Sequence, residues 1–415
     1  MRILWLCNIV LPELAEIFSF RKQNEGGWLT GAWRELNNIN KYNLAICVPV
    51  RNPSRMIDGE NEGYKFYSFL TISQESNTKI EDQCDRFKTI IGDYKPDIIH
   101  IWGTEYEHSY AMAKACEELG ISERVVINIQ GLITYCAKVY RIGITHEIYN
   151  AIDDQGKSIA DGEKAFRARE KFEKEVFRLS KFCIVRTEWD KACVLSINPQ
   201  ITYFNCGEIL RDGFYKSKKW NLERSEKHSI FISQAAYPIK GLHIALEELS
   251  LLKNKYDDLK IYVGGEDLSL SNEPYAKYIN DKIIEYGLKD TVFFLGQITE
   301  QEMINYYLRS NVFLSTSLIE NSSNSICEAM LLGTPVVASF VGGTPSLIQH
   351  EYDGLSYPLE EPNMMRYYIE ELFDSEELCN RLSKNEIIKA TERINNKNNI
   401  IKKLSNIYLE ISNNI

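Results

Sequence analysis

Several familiar chemistries are missing from this chain, and each absence narrows what it does. The ten cysteines are scattered, with no C-x-x-C pair and no histidine cluster beside them. That spacing speaks against a disulfide framework and against a structural zinc site. Cys7, Cys47 and Cys183 sit inside apolar runs that read as strands, where a free thiol behaves as a small core side chain and fits a reducing cytosol. No apolar run approaches the length needed to span a bilayer. The apolar start Met1–Cys7 meets Pro12 and Glu13 too early for a signal peptide with its cleavage site. A soluble cytoplasmic protein is therefore expected, at most peripheral at the inner face of a membrane. Basic charge is also short: 48 Lys and Arg face 58 Asp and Glu, a net −10. That balance excludes a general nucleic-acid binder, whose affinity depends on cations facing phosphates. It also opposes wholesale adsorption to an anionic membrane, although a local basic patch stays open. No predicted strand is followed by G-x-G-x-x-G, which disfavours a dinucleotide oxidoreductase. No Asp-x-Asp-like pair stands at a strand end as a divalent-metal site, and there is no internal repeat.

What the chain does contain is a regular alternation of short apolar runs and amphipathic stretches, the α/β signal. Its 415 residues and 44% hydrophobic content allow two or three domains with substantial cores. In the first half, strands are expected at Ile3–Cys7, Leu44–Val48, Ile98–Trp102, Val125–Ile129, Phe182–Val185 and Ile201–Phe204. In the second they are expected at Ser229–Ile232, Lys260–Val263, Val292–Leu295, Val312–Leu314, Val336–Ala338 and Leu355–Tyr357. Continuous Val/Ile/Leu runs joined by helices imply parallel strands covered on both faces. Two doubly wound domains follow, 1–215 and 216–395, joined through the polar stretch Lys216–Lys227. Such sheets bind ligands at the carboxyl ends of their strands.

The densest chemistry lies in Glu320-Asn-Ser-Ser-Asn-Ser-Ile-Cys-Glu328, followed by Ala329-Met330, Gly333-Thr-Pro335-Val-Val-Ala and Gly342-Gly343-Thr344. Two acids flank small polar residues, and each glycine turn opens a helix whose free N–H groups and dipole favour an anion. A diphosphate suits such a place, and the carboxylates can accept sugar or ribose hydroxyls. Alone, the two glutamates read as a solvated loop acid and a helix-surface charge. The Gly-Thr-Pro-Val-Val and Gly-Gly that follow in register turn the segment into a nucleotide-sugar site.

This block resembles the Glu-x7-Glu signature of retaining GT-B glycosyltransferases of the family 4 type. The resemblance runs over nearly the whole chain and implies two Rossmann-like domains facing a central cleft. It implies that Glu328 binds ribose hydroxyls, that Glu320 faces the transferred sugar, and that Asn321, Ser325 and Ile326 supply donors around it. Gly343 and Thr344 would lie against phosphate or sugar oxygens. Gln234-Ala-Ala-Tyr-Pro-Ile-Lys240-Gly241 resembles the family's Gly-Arg…Lys-Gly motif, with Lys240 reaching the diphosphate. This chain departs from the motif at Ala235, where the family has Arg, so Arg186, Arg211 or backbone donors are left to fill in. Gly264 and Gln297 fall at positions that frame the diphosphate and the base.

In the first half, Gly26-Gly27-Trp28 would bring backbone amides to the donor phosphate. His100-Ile-Trp102-Gly-Thr-Glu105-Tyr-Glu-His108 ends a strand and resembles the acceptor-side segment. His100 reads equally as a core histidine, and Glu105 or His108 is the better acceptor contact. Gln130 and Arg186 follow later strands, and Glu208-Ile-Leu-Arg211 follows the last. A final helix within 396–415 is expected to cross back to the first domain.

The implied activity is transfer of a sugar from a nucleoside-diphosphate donor to a carbohydrate or lipid-linked glycan acceptor. No cofactor and no metal are implied, and bacterial surface polysaccharide is the expected context. A nucleotide-sugar epimerase and a non-catalytic sugar-nucleotide-binding partner of another transferase are the rival readings.

Overall fold

The computed structural model describes residues 1–18, 27–72 and 79–414. The chain divides into two compact units, one built from residues 1–134, 167–209 and 397–415, the other from 135–166 and 210–396.

The first unit holds β1 Arg2–Leu6, β2 Asn43–Val50, β3 Gly59–Asn61, β4 Tyr64–Leu70, β5 Ile98–Trp102, β6 Val125–Asn128, β7 Phe182–Val185 and β8 Thr202–Asn205. They form one sheet in the order β3-β4-β2-β1-β5-β6-β7-β8. Every pairing is parallel except β3 with β4, a hairpin in which Asn61 faces Tyr64. Its two loop residues, Glu62 and Gly63, both have positive φ (48° and 84°), the geometry that matches the right-handed twist of a hairpin. This hairpin escapes the apolar-run reading because β4 mixes aromatic residues with Lys65 and Ser68 rather than forming a continuous Val/Ile/Leu stretch. The expected runs β5 and β7 coincide with the observed strands. They are buried along their whole length, as parallel strands covered on both faces must be. Trp5 anchors the core between Trp33 and Trp102, with ring centroids 5.4 and 4.7 Å away. The helix Lys397–Asn413 belongs to this unit, and its buried Tyr408 accepts the Trp5 indole N–H at 3.1 Å.

The second unit holds β9 Glu226–Ile232, β10 Lys260–Val263, β11 Val292–Phe294, β12 Ser310–Ser315, β13 Val336–Ser339 and β14 Leu355–Tyr357. Their order is β11-β10-β9-β12-β13-β14, all parallel. Numbered within the unit this is 3-2-1-4-5-6, the doubly wound order whose reversal falls between β9 and β12. Leu242, Leu246 and Leu249 of one covering helix and Met365, Ile369 and Leu372 of another are buried in the same core. Each such side chain contributes roughly 1.5–3 kcal/mol on removal from water. The stretch 216–227, expected as a linker, is tied into this unit. Trp220 is buried there, and its indole N–H donates to Ser310 O at 2.8 Å. Indole burial with a satisfied N–H outweighs the polar composition around it.

Candidate functional site

At the strand-order reversal of the second unit, a small recess opens at the carboxyl ends of β9 and β12. Ser233, Gln234, Ser315, Thr316, Ser317, Lys240, Glu320 and Ser325 contribute to its wall. After β9 the chain makes a single turn, Pro238–Lys240, and reaches Gly241 at φ +71° before the helix Leu242–Lys255 begins. The sequence places a helix near Lys240–Leu252, and the left-handed Gly241 sets its start at Leu242. A Cβ at Gly241 would overlap the Thr316 carbonyl oxygen, so glycine is what lets this turn lie on the loop after β12. Two more bonds fasten it: Thr316 Oγ1 donates to Lys240 O at 2.6 Å, and the Leu318 N–H donates to Ile239 O at 2.8 Å. From the other side the Gly343 N–H donates to Glu320 O at 2.8 Å, and Gly342, at φ +50°, sits where a Cβ would overlap that same oxygen.

This clamp places the Lys240 ammonium 2.7 Å from Glu320 Oε1. The Ser317 hydroxyl donates to the same oxygen, also at 2.7 Å. Burial works to lower the Lys240 pKa, but the Glu320 carboxylate and then Tyr237 more than offset it, and the net shift is upward. Lys240 therefore carries its charge throughout the neutral range.

Glu328 lies further along the helix Asn324–Leu332. Ser323 caps this helix by accepting the Ile326 N–H at 3.4 Å, and Gly333 ends it at φ +84° with its N–H on Ala329 O at 2.8 Å. Cap and left-handed stop fit the Ser-Asn-Ser…Leu-Gly-Thr-Pro sequence. The Glu328 carboxylate is buried. Arg211 Nη2 donates to its Oε1 at 2.9 Å, and the single Tyr307 hydroxyl proton is shared between Oε2, 3.2 Å away, and Ser325 O, 3.0 Å away. Burial raises the Glu328 pKa, opposed by the Arg211 charge.

Of the other residues expected around a donor, Asn321 follows Glu320 and has a buried Nδ2 with no partner among the described residues. The Ile326 side chain is in the core and presents only its N–H, already given to Ser323. Thr344 is buried at the start of the short helix Thr344–Leu347, with its N–H on Val341 O at 3.0 Å. Gly264 backs onto the Ser233 carbonyl, which a Cβ would meet at 3.0 Å. Gln297 is exposed and stands apart from the recess wall. Ala235 is buried in the apolar core and offers no charge. Tyr307 and Ser317 were not singled out from the sequence. The polar Ser315-Thr-Ser317 directly after an apolar strand was the signal for the latter.

Of the residues expected on the acceptor side, all in the first unit, His100 lies in β5, Glu105 and His108 follow it, Gln130 follows β6 and Arg186 follows β7. The Glu105 carboxylate is buried and takes the Thr104 N–H at 2.8 Å, and burial raises its pKa. Gln130 and Arg186 meet on Glu208: Gln130 Nε2 donates to Oε1 at 2.8 Å and Arg186 Nη1 to Oε2 at 2.6 Å. His100 is fully buried, stacked on Trp102, with Nδ1 2.7 Å from the Tyr408 hydroxyl. His108 is buried between Phe69 and Tyr106. Burial depresses both imidazoles to a pKa of about 3, so both are neutral core histidines in this structure. Gly27 opens the helix Gly27–Asn38. Gly26 and the Trp28 side chain lie outside the described residues. Among the described residues no three His, Cys, Asp or Glu side chains cluster as a metal-binding group.

The recess, Glu320 and Glu328 fall inside one stretch of recognisable sequence. Residues 215–388 match the family Glycosyl transferases group 1. Among curated glycosyltransferases, YtcC of Bacillus subtilis, provisionally named as such, is 27% identical over 200 residues, covering 47% of this chain and 47% of YtcC. The uncharacterized glycosyltransferase MJ1607 of Methanocaldococcus jannaschii is 25% identical over 189 residues, covering 45% and 46%. The chain thus spans about half the length of the curated relatives it matches. Among solved structures, the sucrose-phosphate synthase of Thermosynechococcus elongatus superposes at TM-score 0.72 with 17% identity over 99% of both chains. Anabaena HepE in complex with UDP and glucose reaches 0.67 with 15% identity over 99% of this chain and 100% of its own. The chain thus folds as two parallel-sheet α/β domains whose structural neighbours are of the GT-B type.

Proposed function

We propose that this chain is a retaining, metal-independent glycosyltransferase that moves a sugar from a nucleoside-diphosphate donor to a hydroxyl acceptor. The observation that carries the reading is the Lys240–Glu320 pair, held at 2.7 Å in the recess where the strand order of the glycosyltransferase-matching unit reverses. A donor diphosphate entering the recess takes Lys240 as its counter-ion. Glu320, released from the ammonium, becomes free to accept hydroxyls of the transferred sugar. In the transition state, negative charge grows on the leaving diphosphate. A fixed ammonium that is already desolvated stabilises that charge without reorganising. In a retaining reaction the acceptor hydroxyl attacks on the face the diphosphate leaves, so positioning does most of the remaining work.

HepE binds UDP and glucose, which makes UDP-sugars the first donors to try. Other neighbours are named for lipopolysaccharide outer core and lipopolysaccharide biosynthesis, which supports an acceptor in bacterial surface glycan. Among the described residues no helix is long and apolar enough to cross a membrane.

The test is incubation with UDP-, GDP- and ADP-sugars and a panel of glycan acceptors in EDTA, with the anomeric configuration of the product read by NMR. One donor should give a product of unchanged configuration, and Lys240→Met should lower kcat about 10²–10³-fold, the usual loss for one preorganised charge donor. Donor binding without turnover on any acceptor would instead favour a sugar-nucleotide-binding partner, a reading supported by the apolar Ala235. Epimer formed without acceptor would favour an epimerase.

A further inference from the structure

Beside the recess, the helix that carries Glu328 meets a residue whose role the transfer reading leaves open. Arg211 comes from the segment before the helix Asp212–Lys216, and its guanidinium is held by several neighbours. It donates to Glu328 Oε1 at 2.9 Å, approaches Met303 Sδ at 3.1 Å, and lies over the Phe214 ring with 4.9 Å to the centroid. Glu328 is 6% exposed. A buried ion pair of this kind is rarely favourable for stability alone, since an apolar pair of similar volume does as well or better. Its position points elsewhere: the helix that carries Glu328 begins beside Ser325, and Ser325 lines the recess.

We infer that Arg211 is a positioning residue for the donor's ribose, holding the Glu328 carboxylate so that it accepts a vicinal 2′,3′-diol. The inference rests on the transfer reading and narrows its donor to a ribonucleoside diphosphate. A carboxylate has about four acceptor sites. Arg211 occupies one on Oε1 and Tyr307 one on Oε2, which leaves one lone pair on each oxygen. The two anchors fix the plane of those lone pairs, as a diol needs if both hydroxyls are to donate at once. It also explains why Arg211 does not stand in for the cation missing at Ala235: its guanidinium is committed to Glu328.

The experiment measures calorimetric binding of UDP, GDP and ADP, each against its 2′-deoxy counterpart, with inorganic pyrophosphate as a control. Wild type should prefer the ribonucleotide by about tenfold or more, because the deoxy form leaves a buried acceptor unpaired. Arg211→Met should bring the ratio close to one while leaving pyrophosphate binding, which reports on Lys240, unchanged. Arg211→Lys should recover part of the ratio, and Tyr307→Phe should lower it. In Arg211→Met the carboxylate, facing only Tyr307 and the Glu300 charge, should need a higher pH than wild type to bind ribonucleotide. A folded Arg211→Met or Arg211→Lys with the wild-type ratio and pH profile would overturn the assignment alone. A wild type indifferent to the 2′-hydroxyl would overturn the ribose role of Glu328. Binding of none of the three nucleotides would remove the transfer reading beneath both.

Discussion

At the scale of the residue, the site is a matter of which charges neutralise which. Lys240 and Glu320 were each legible, because each follows a strand and adjoins a turn. Their contact was not, since 80 residues separate them and only the strand-order reversal brings the two turns together. Glu320→Gln removes the counter-ion from Lys240 without removing bulk. It should tighten binding of the nucleoside diphosphate product several-fold while turnover falls, by about 10²-fold if Glu320 holds the sugar in the transition state. Unchanged product affinity, by calorimetry, would show that Lys240 does not exchange partners. Gly241→Ala asks a side chain to occupy φ +71° against the Thr316 carbonyl. It should lower stability by about 1–3 kcal/mol and disorder the recess, and a melting temperature equal to wild type would count against the clamp. His100, which reads from sequence as a core histidine as readily as an acceptor contact, and His108 are both buried against aromatic rings.

At the scale of the element, apolar runs located β5, β7, β10 and β14 residue for residue, because a strand covered on both faces is written as a short, mostly apolar run. The β3–β4 hairpin and the short helices Ile133–Val139 and His146–Asn150 were not legible. None has a long periodic pattern, and their stability comes from what they touch. Ile133–Val139 shows how. Its first N–H groups, those of Ile133 and Thr134, donate to the buried Glu173 carboxylate at 2.8 and 3.0 Å. Burial pushes the Glu173 pKa up to about 7 from 4.5, against the pull of those same N–H bonds. An acid with a raised folded-state pKa binds its proton more tightly when folded. Folding therefore loses stability as pH climbs from about 4.5 to about 7, by up to about 3 kcal/mol. Glu173→Gln should flatten that slope in denaturant titrations at pH 5 and pH 8, and an unaltered slope would assign the pH dependence to other groups. Ser323→Ala, by removing the cap on the Glu328 helix, should cost about 1 kcal/mol in the same titration and weaken nucleotide binding.

At the scale of the whole molecule, a nucleoside diphosphate that binds only the folded chain should raise its melting temperature with concentration. At a hundredfold excess over Kd the stabilisation is about 2.7 kcal/mol. Glu328→Ala should abolish the shift, and a full shift in that variant would separate the nucleotide from this helix. The alternation of apolar runs and amphipathic helices was enough to specify two doubly wound α/β sheets, because burial on both faces writes itself directly into composition. Glu320, Glu328, the glycine turns and Lys240 were singled out as candidates from the local motif and its resemblance to a known signature, which a sequence can carry. Only the tertiary structure decided that each acid already holds a cation, Glu320 with Lys240 and Glu328 with Arg211. It also decided that the segment 135–166 belongs with the second unit, and that Gly342 supports a carbonyl by backbone approach. These are meetings between residues far apart in the chain, set by strand order and backbone approach, and no periodicity or composition records them.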